Sequence, residues 1–115
     1  MAYTTTAKQF IEDLPKKLTP GSALRAVGGV VSVEIEGEDG GNWLLDLDQG
    51  KLVSGQVRPT SIIRANALDF MACIEGRMSV RDGLLSERLH LAGEVGKLSQ
   101  VMALLSELGR SSGRK

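Results

Sequence analysis

Residues that build specialised sites are scarce in this sequence. Its 115 positions include one cysteine and one histidine, and only 3% of them are aromatic. A single cysteine excludes a disulfide within the chain and fits a reducing compartment, so we expect a cytoplasmic protein. With so few rings the core must be built mainly from aliphatic side chains, and the 42% hydrophobic content suffices for one domain of this length.

Long apolar runs and an excess of charge are also missing. No run approaches the roughly 18 residues of a membrane span, and no secretory signal is evident at the N-terminus. Acidic and basic residues number 14 each, and residues 109–115 hold three of the basic ones, which leaves 11 basic against 14 acidic side chains elsewhere. This balance predicts no nucleic-acid partner, and without a run of spanning length we expect at most transient contact with a membrane. We expect residues 110–115 to form a disordered basic tail.

Catalytic constellations are equally scarce. His90 lies in a predicted strand and is expected to face solvent, and Cys73 lies within an apolar helix and is expected to pack. Asp46 and Asp48 alternate with leucines, as the outer face of a strand does. No cluster of His, Cys, Asp and Glu has metal-ligand spacing. The sequence therefore predicts no catalytic residue, no metal site, no cofactor and no enzymatic activity.

Alternating and helical patterns divide the chain into strands and helices. Strands are predicted near residues 31–35, 43–47, 51–57, 60–65 and 89–93. A first helix should end near Leu14, before Pro15; a short helix should follow a cap at Ser79; and a last helix, residues 97–108, should be closed by Gly109. The order predicts an α+β fold, with a mixed, mostly antiparallel sheet of about five strands in a single domain over residues 1–109.

The strand patterns also predict which side chains face the helices. Because side chains alternate across a strand, the apolar and acidic sets must lie on opposite faces. The inward set is Val33, Ile35, Trp43, Leu45 and Leu47, and the outward set is Glu34, Asp46 and Asp48.

The helix predicted over residues 67–75 is apolar almost all round. Asn66 is a good N-cap, Asp69 favours the first turn, and Gly76 supplies the positive φ that commonly ends a helix. A surface helix normally has one apolar stripe, so this one should have apolar material on two sides. One side should be the sheet, and the other is either a second helix or an apolar ligand.

The order and spacing of these segments resemble the SCP-2 sterol-transfer family from about Phe10 to Leu108. The closest matches are Phe10 with Leu14-Pro15, residues 31–37, residues 41–50, residues 62–78 and residues 88–94. The resemblance implies a twisted, largely antiparallel five-stranded sheet covered on one face by helices, which enclose an apolar tunnel for sterols, fatty acyl chains or phospholipids. The sequence departs from the pattern at Ser86-Glu87, where the family usually has a glycine.

Together, the resemblance and the all-round apolar helix predict an apolar cavity between the sheet and the later helices. We call its expected lining the predicted cavity residues: Phe70, Met71, Ile74, Met78, Leu84, Leu85, Met102 and Leu105. The leading hypothesis is non-enzymatic binding, transfer or presentation of an apolar ligand. The alternative is a scaffold module of the same fold with a collapsed cavity, acting through a protein partner or as a homodimer.

Overall fold

The computed structural model describes residues 6–38, 40–55 and 57–113, with side chains up to residue 109. This part of the chain forms five helices and five strands. In chain order they are α1 (Ala7–Lys17), α2 (Ala23–Val27), β1 (Val30–Glu36), β2 (Gly41–Asp46), β3 (Lys51–Val53), β4 (Ser61–Asn66), α3 (Ala67–Ile74), α4 (Val80–Leu85), β5 (Leu89–Gly93) and α5 (Val95–Gly113).

The strands form one mixed sheet in the order β3-β2-β1-β4-β5. β1 pairs with β4 in parallel, and the other three pairs are antiparallel. The predicted α+β fold with a mostly antiparallel five-stranded sheet is therefore confirmed. The parallel register sets Glu36 opposite Asn66, so the end of β1 lies beside the point where β4 enters α3.

The core lies between the sheet and α1, α3 and α5. Val33, Ile35, Leu45 and Leu47 are buried as predicted, and Trp43 is half-buried against the same cluster. None of the three predicted outward carboxylates is buried. Glu34 instead forms an ion pair with Arg64 on the neighbouring strand, with 2.8 Å between Oε1 and Nη2. The predicted separation of the apolar and acidic sets is therefore confirmed, although Leu47 and Asp48 lie in the turn after β2.

The prediction that the first helix ends near Leu14 is wrong, because α1 continues through Pro15 to Lys17. Pro15 has no N–H to donate to the carbonyl four residues earlier, and its ring crowds that carbonyl, but the helix extends only two residues beyond it. The backbone N–H of Leu18 closes the helix by donating to the carbonyls of Leu14 and Pro15, at 3.1 and 3.4 Å.

The prediction for the last helix is also wrong at its end, because α5 does not stop at Gly109 but runs to Gly113. Gly109 serves a different purpose, since a Cβ atom built on it would lie 2.2 Å from Cγ2 of Ile74 and 2.8 Å from the Ile74 carbonyl oxygen. The glycine lets α5 approach the end of α3. The backbone of residues 110–113 is helical where disorder is predicted, and residues 114 and 115 lie outside the described residues.

The third strand is shorter than predicted. β3 ends at Val53, and Gly55 has φ near +98°, a left-handed conformation that does not continue a strand. Residue 56, the next position of the predicted strand, lies outside the described residues. The predicted fourth and fifth strands are confirmed within one residue at each end.

Candidate functional site

Three chain segments meet at one end of the sheet. The β1–β4 pairing brings Glu36 beside Asn66, which is at once the last residue of β4 and the N-cap of α3. The side-chain oxygen of Asn66 accepts a hydrogen bond from the backbone N–H of Asp69 at 2.8 Å, which fixes the first turn of α3. α1 begins at the same place, with Thr6 and Gln9 forming a reciprocal capping box.

A groove of about 490 Å³ opens between these segments, which we call the α1–α3 groove. Its volume falls within the range of about 300–1,000 Å³ that is usual for small-molecule sites. The lining residues are Thr6, Ala7, Glu36, Gly37, Glu38, Asn66, Ala67, Leu68, Met71, Glu75 and Arg77.

The floor and one wall of the groove are apolar. Ala7 and Met71 are only 1% and 8% exposed, whereas Leu68 on the wall is 83% exposed. The helices that carry these residues are joined by an edge-to-face contact between Phe10 and Phe70, whose ring centroids are 6.3 Å apart. The groove therefore combines a buried apolar floor on rigid helices with a large apolar side chain that is exposed to water.

The rim of the groove is charged. Glu36 is the last residue of β1 and Glu38 lies in the turn that follows, and Glu75 and Arg77 come directly after α3. Arg77 donates from Nε and Nη2 to Oε1 of Glu75 at 2.9 and 2.6 Å. The guanidinium of Arg77 is thus already paired with a carboxylate of the same rim.

A second groove, of about 840 Å³, lies between α3 and α4. We call it the α3–α4 groove. It shares Leu68 and Arg77 with the α1–α3 groove, and Leu85 of α4 lies along it. Leu85 is 73% exposed, so two exposed leucines border this part of the surface.

The predicted cavity residues fall into three groups. Phe70, Ile74, Met102 and Leu105 are fully buried in the core, and Met71 reaches from the core to the floor of the α1–α3 groove. Met78 and Leu84 are half-buried and pack against the core from outside.

Leu85 is the one predicted cavity residue that does not point inward, so its placement inside a cavity is wrong. Gly83 packs against Leu89, and Leu84 contacts the core. Leu85 is the last residue of α4, rotated by about 100° from Leu84, and this turns its side chain to solvent.

Sequence reasoning missed most of the α1–α3 groove. Ala7, Ala67 and Leu68 line it, as do Glu36 and Glu38. One signal was present, because an apolar circumference on α3 requires a residue such as Leu68 to face away from the core. The local sequence pattern did not indicate that Glu36 and Glu38 line a groove, because only the pairing of β1 with β4 brings their carboxylates there.

The reactive side chains are kept apart. Cys73 is buried, and burial raises the pKa of its thiol, with a further contribution from the negative charge of Asp69. His90 is exposed on β5, so the two do not form a nucleophile–base pair. Asp46 and Asp48 have structural roles, because their carboxylates accept backbone N–H bonds from Gln49 and Gly29 at 3.1 and 3.2 Å.

Among the described residues, no three side chains of His, Cys, Asp and Glu come together as metal ligands. Among the helices that the structure describes, none has the length and apolarity needed to cross a membrane.

Comparison with known proteins supplies the family. The sequence profile of the SCP-2 sterol transfer family matches residues 7–106. The chain belongs to the SCP-2 sterol transfer family. One relative, hydroxysteroid dehydrogenase-like protein 2 of Xenopus tropicalis, is 25% identical over 97 residues, which are 81% of this chain and 23% of that protein. The chain thus spans about a quarter of the length of this relative.

Solved structures of other family members share the fold. Sterol carrier protein 2 like 2 from Aedes aegypti superposes with a TM-score of 0.67 at 21% identity, covering 84% of this chain and 93% of that one. Sterol carrier protein 2 from the same mosquito, solved in complex with the C16 fatty acid palmitate, gives 0.61 at 18% identity, with 84% and 94% covered. The family resemblance found in the sequence is therefore confirmed.

Proposed function

We propose that this domain binds and carries an apolar ligand, with the α1–α3 groove as the place where the apolar chain enters. The observation that carries the proposal is the pairing of a buried apolar floor, Ala7 and Met71, with the water-exposed Leu68 on the same groove. Exposing a leucine to water is unfavourable, and a bound chain would cover it. The complex of a family member with palmitate supports the same class of ligand.

Burial of an apolar chain supplies enough free energy without polar chemistry. Each buried methylene contributes roughly 0.8 kcal/mol, and micromolar affinity requires about 8 kcal/mol. With at least about 4 kcal/mol lost on association, about 15 buried methylenes suffice. Because one methylene more or less changes the affinity little, we expect the domain to accept chains of several lengths.

The interior cavity remains a prediction, and the groove suggests how a ligand would reach it. Met71 belongs both to the predicted cavity residues and to the groove floor. Methionine side chains are flexible, so Met71 could move aside as a chain enters. We infer binding rather than catalysis, because the buried Cys73 and the exposed His90 offer no nucleophile and base in one place.

The test compares two exposed leucines. Leu68→Ser removes apolar surface from the α1–α3 groove, and Leu85→Ser makes the same change on α4, outside that groove. We expect Leu68→Ser to weaken binding of the uncharged dye Nile red about tenfold, since a leucine side chain contributes roughly 1.5 kcal/mol or more when covered. Leu85→Ser should bind as the unmodified protein does. Equal binding by all three proteins would contradict the proposed site.

A second candidate is a protein-interaction module. It is favoured by the α3–α4 groove, where Leu68 and Leu85 are both exposed. In that case Leu68→Ser and Leu85→Ser should weaken partner binding alike, and neither should affect Nile red. The same pair of variants therefore separates the two candidate functions.

A further inference from the structure

The charged side chains on the rim of the α1–α3 groove bear on the head group of its ligand. We propose that it prefers a long-chain amphiphile with a protonated amine head over the matching fatty acid. This inference rests on the proposed function and adds the charge of the ligand to it. The observation behind it is the unequal number of acidic and basic side chains on the rim.

Three carboxylates and one guanidinium belong to the described residues that line the groove. The carboxylates are Glu36, Glu38 and Glu75, and the guanidinium is Arg77. Their formal sum is −2. Because Arg77 is already paired with Glu75 at 2.6 Å, the carboxylate of a fatty acid would have to compete with Glu75 for it. Glu36 and Glu38 are exposed, and neither has a hydrogen bond or ion pair to a described side chain.

Two helix N-termini act in the opposite direction, because their dipoles favour an anion. Each is equivalent to about half a positive charge, so together they offset roughly one of the two excess negative charges. Both ends are also capped by side chains: Thr6 Oγ accepts the N–H of Gln9 at 3.1 Å, and Asn66 accepts that of Asp69. The rim therefore retains a net negative charge, which complements an ammonium head and repels a carboxylate.

The experiment measures displacement of Nile red by dodecylamine, dodecanol and dodecanoate at pH 7, where the amine is protonated and the acid is ionised. The three share one chain, so their differences report the head group. We expect dodecylamine to bind about tenfold more tightly than dodecanoate, because exposed carboxylates attract the ammonium head and repel the carboxylate head only weakly, with dodecanol between them. This preference should shrink at high salt.

Matched variants place the effect in the groove. Glu36→Gln with Glu38→Gln removes two rim carboxylates and should bring the three ligands within about threefold of one another. Glu12→Gln with Asp13→Asn changes the net charge equally on the exposed side of α1, away from the groove, and should leave the preference intact.

The outcomes separate the two proposals. If dodecanoate binds as tightly as dodecylamine, or if the preference survives in Glu36→Gln with Glu38→Gln, the inference about the head group is overturned while Nile red binding still supports the proposed function. If Nile red does not bind the unmodified protein, the proposed function fails, and the inference that rests on it fails too.

Discussion

Gly76 and Glu87 occupy the same left-handed position of the same backbone motif, although only one of them is glycine. At the end of α3, the N–H groups of Gly76 and Arg77 donate to the carbonyls of Cys73 and Ala72, and Gly76 has φ near +81°. At the end of α4, Glu87 and Arg88 make the equivalent bonds, and Glu87 has φ near +61°. Both are Schellman motifs, in which glycine usually occupies the left-handed position. Glu87 belongs to Ser86-Glu87, the pair where the resemblance to the family leads us to expect a glycine.

The first prediction is that Glu87→Gly stabilises the protein. A non-glycine residue in the left-handed region costs about 1–2 kcal/mol, and glycine removes this cost. Glycine also raises the conformational entropy of the unfolded chain, which offsets part of the gain and leaves a stabilisation of about 0.5–1 kcal/mol. Urea denaturation should show this increase in the free energy of unfolding. Glu87→Ala removes the carboxylate but keeps the strain, so it should show no such gain. If both variants are stabilised equally, the charge of Glu87 and not its conformation is responsible.

The second prediction concerns the pH dependence of stability through Cys73. Burial, and secondarily the charge of Asp69, raise the pKa of the native thiol, whereas an unfolded cysteine has a pKa of about 8.5. The contribution of the Cys73 thiol to the free energy of unfolding is therefore fully present at pH values below that pKa. It is lost as the pH rises, because the thiol releases its proton first in the unfolded state. Between pH 7.5 and 9.5 the loss is bounded at about 1.4 kcal/mol.

The measurement is the free energy of unfolding at the two pH values, for the unmodified protein and for Cys73→Ala. Other groups titrate in both proteins, so the difference between them isolates the thiol. We expect a steeper alkaline loss with cysteine present. Parallel pH profiles would mean that Cys73 is as ionisable in the native state as in the unfolded one.

At the scale of elements, α3 and α5 meet almost backbone to backbone. Gly109 lies against Ile74, and the hydroxyl of Ser106 donates to the carbonyl of Cys73, which also accepts the N–H of Gly76 at the end of α3. A sequence pattern cannot distinguish a glycine that ends a helix from one that permits close packing. This is why the extent of α5 could not be predicted, while the caps of α3 at Asn66 and Gly76 could.

The third prediction contrasts two glycines of α5. Gly109→Ala would place a Cβ atom 2.2 Å from Cγ2 of Ile74, so the helices must separate, and we expect a cost of about 1–3 kcal/mol. Gly96→Ala meets no atom within 4 Å in the same helix, and should stabilise by up to about 1 kcal/mol. Denaturation curves of the two variants check this. Similar effects of both changes would rule out the contact with Ile74 as the reason for Gly109.

At the scale of the whole molecule, local patterns and long-range pairing differ in what they reveal. The strand alternation and the family resemblance sufficed to predict the sheet and its inward-facing side chains. The α1–α3 groove could not be predicted, because Glu36 joins Asn66 only through a parallel pair between strands that are separated by two others in the sequence.

The fourth prediction tests the groove through the stability of the whole domain. A ligand that binds only the folded state at 100 times its dissociation constant adds about 2.7 kcal/mol, which for a domain of this size raises the melting temperature by roughly 10 °C. Dodecanol, which is uncharged, is a suitable ligand because the result then does not depend on the rim charges. Differential scanning calorimetry with and without it measures the shift for each variant against its own ligand-free form.

Two alanines of α3 provide the matched variants for this test. Ala67 lines the α1–α3 groove and Ala72 does not, although both are half-buried on the same helix. Ala67→Trp should occupy the groove and abolish the shift, because an indole fills space that the chain of the ligand needs. Ala72→Trp should retain the shift in full. Should Ala67→Trp still be stabilised by dodecanol as strongly as the unmodified protein, the ligand enters the domain by another route.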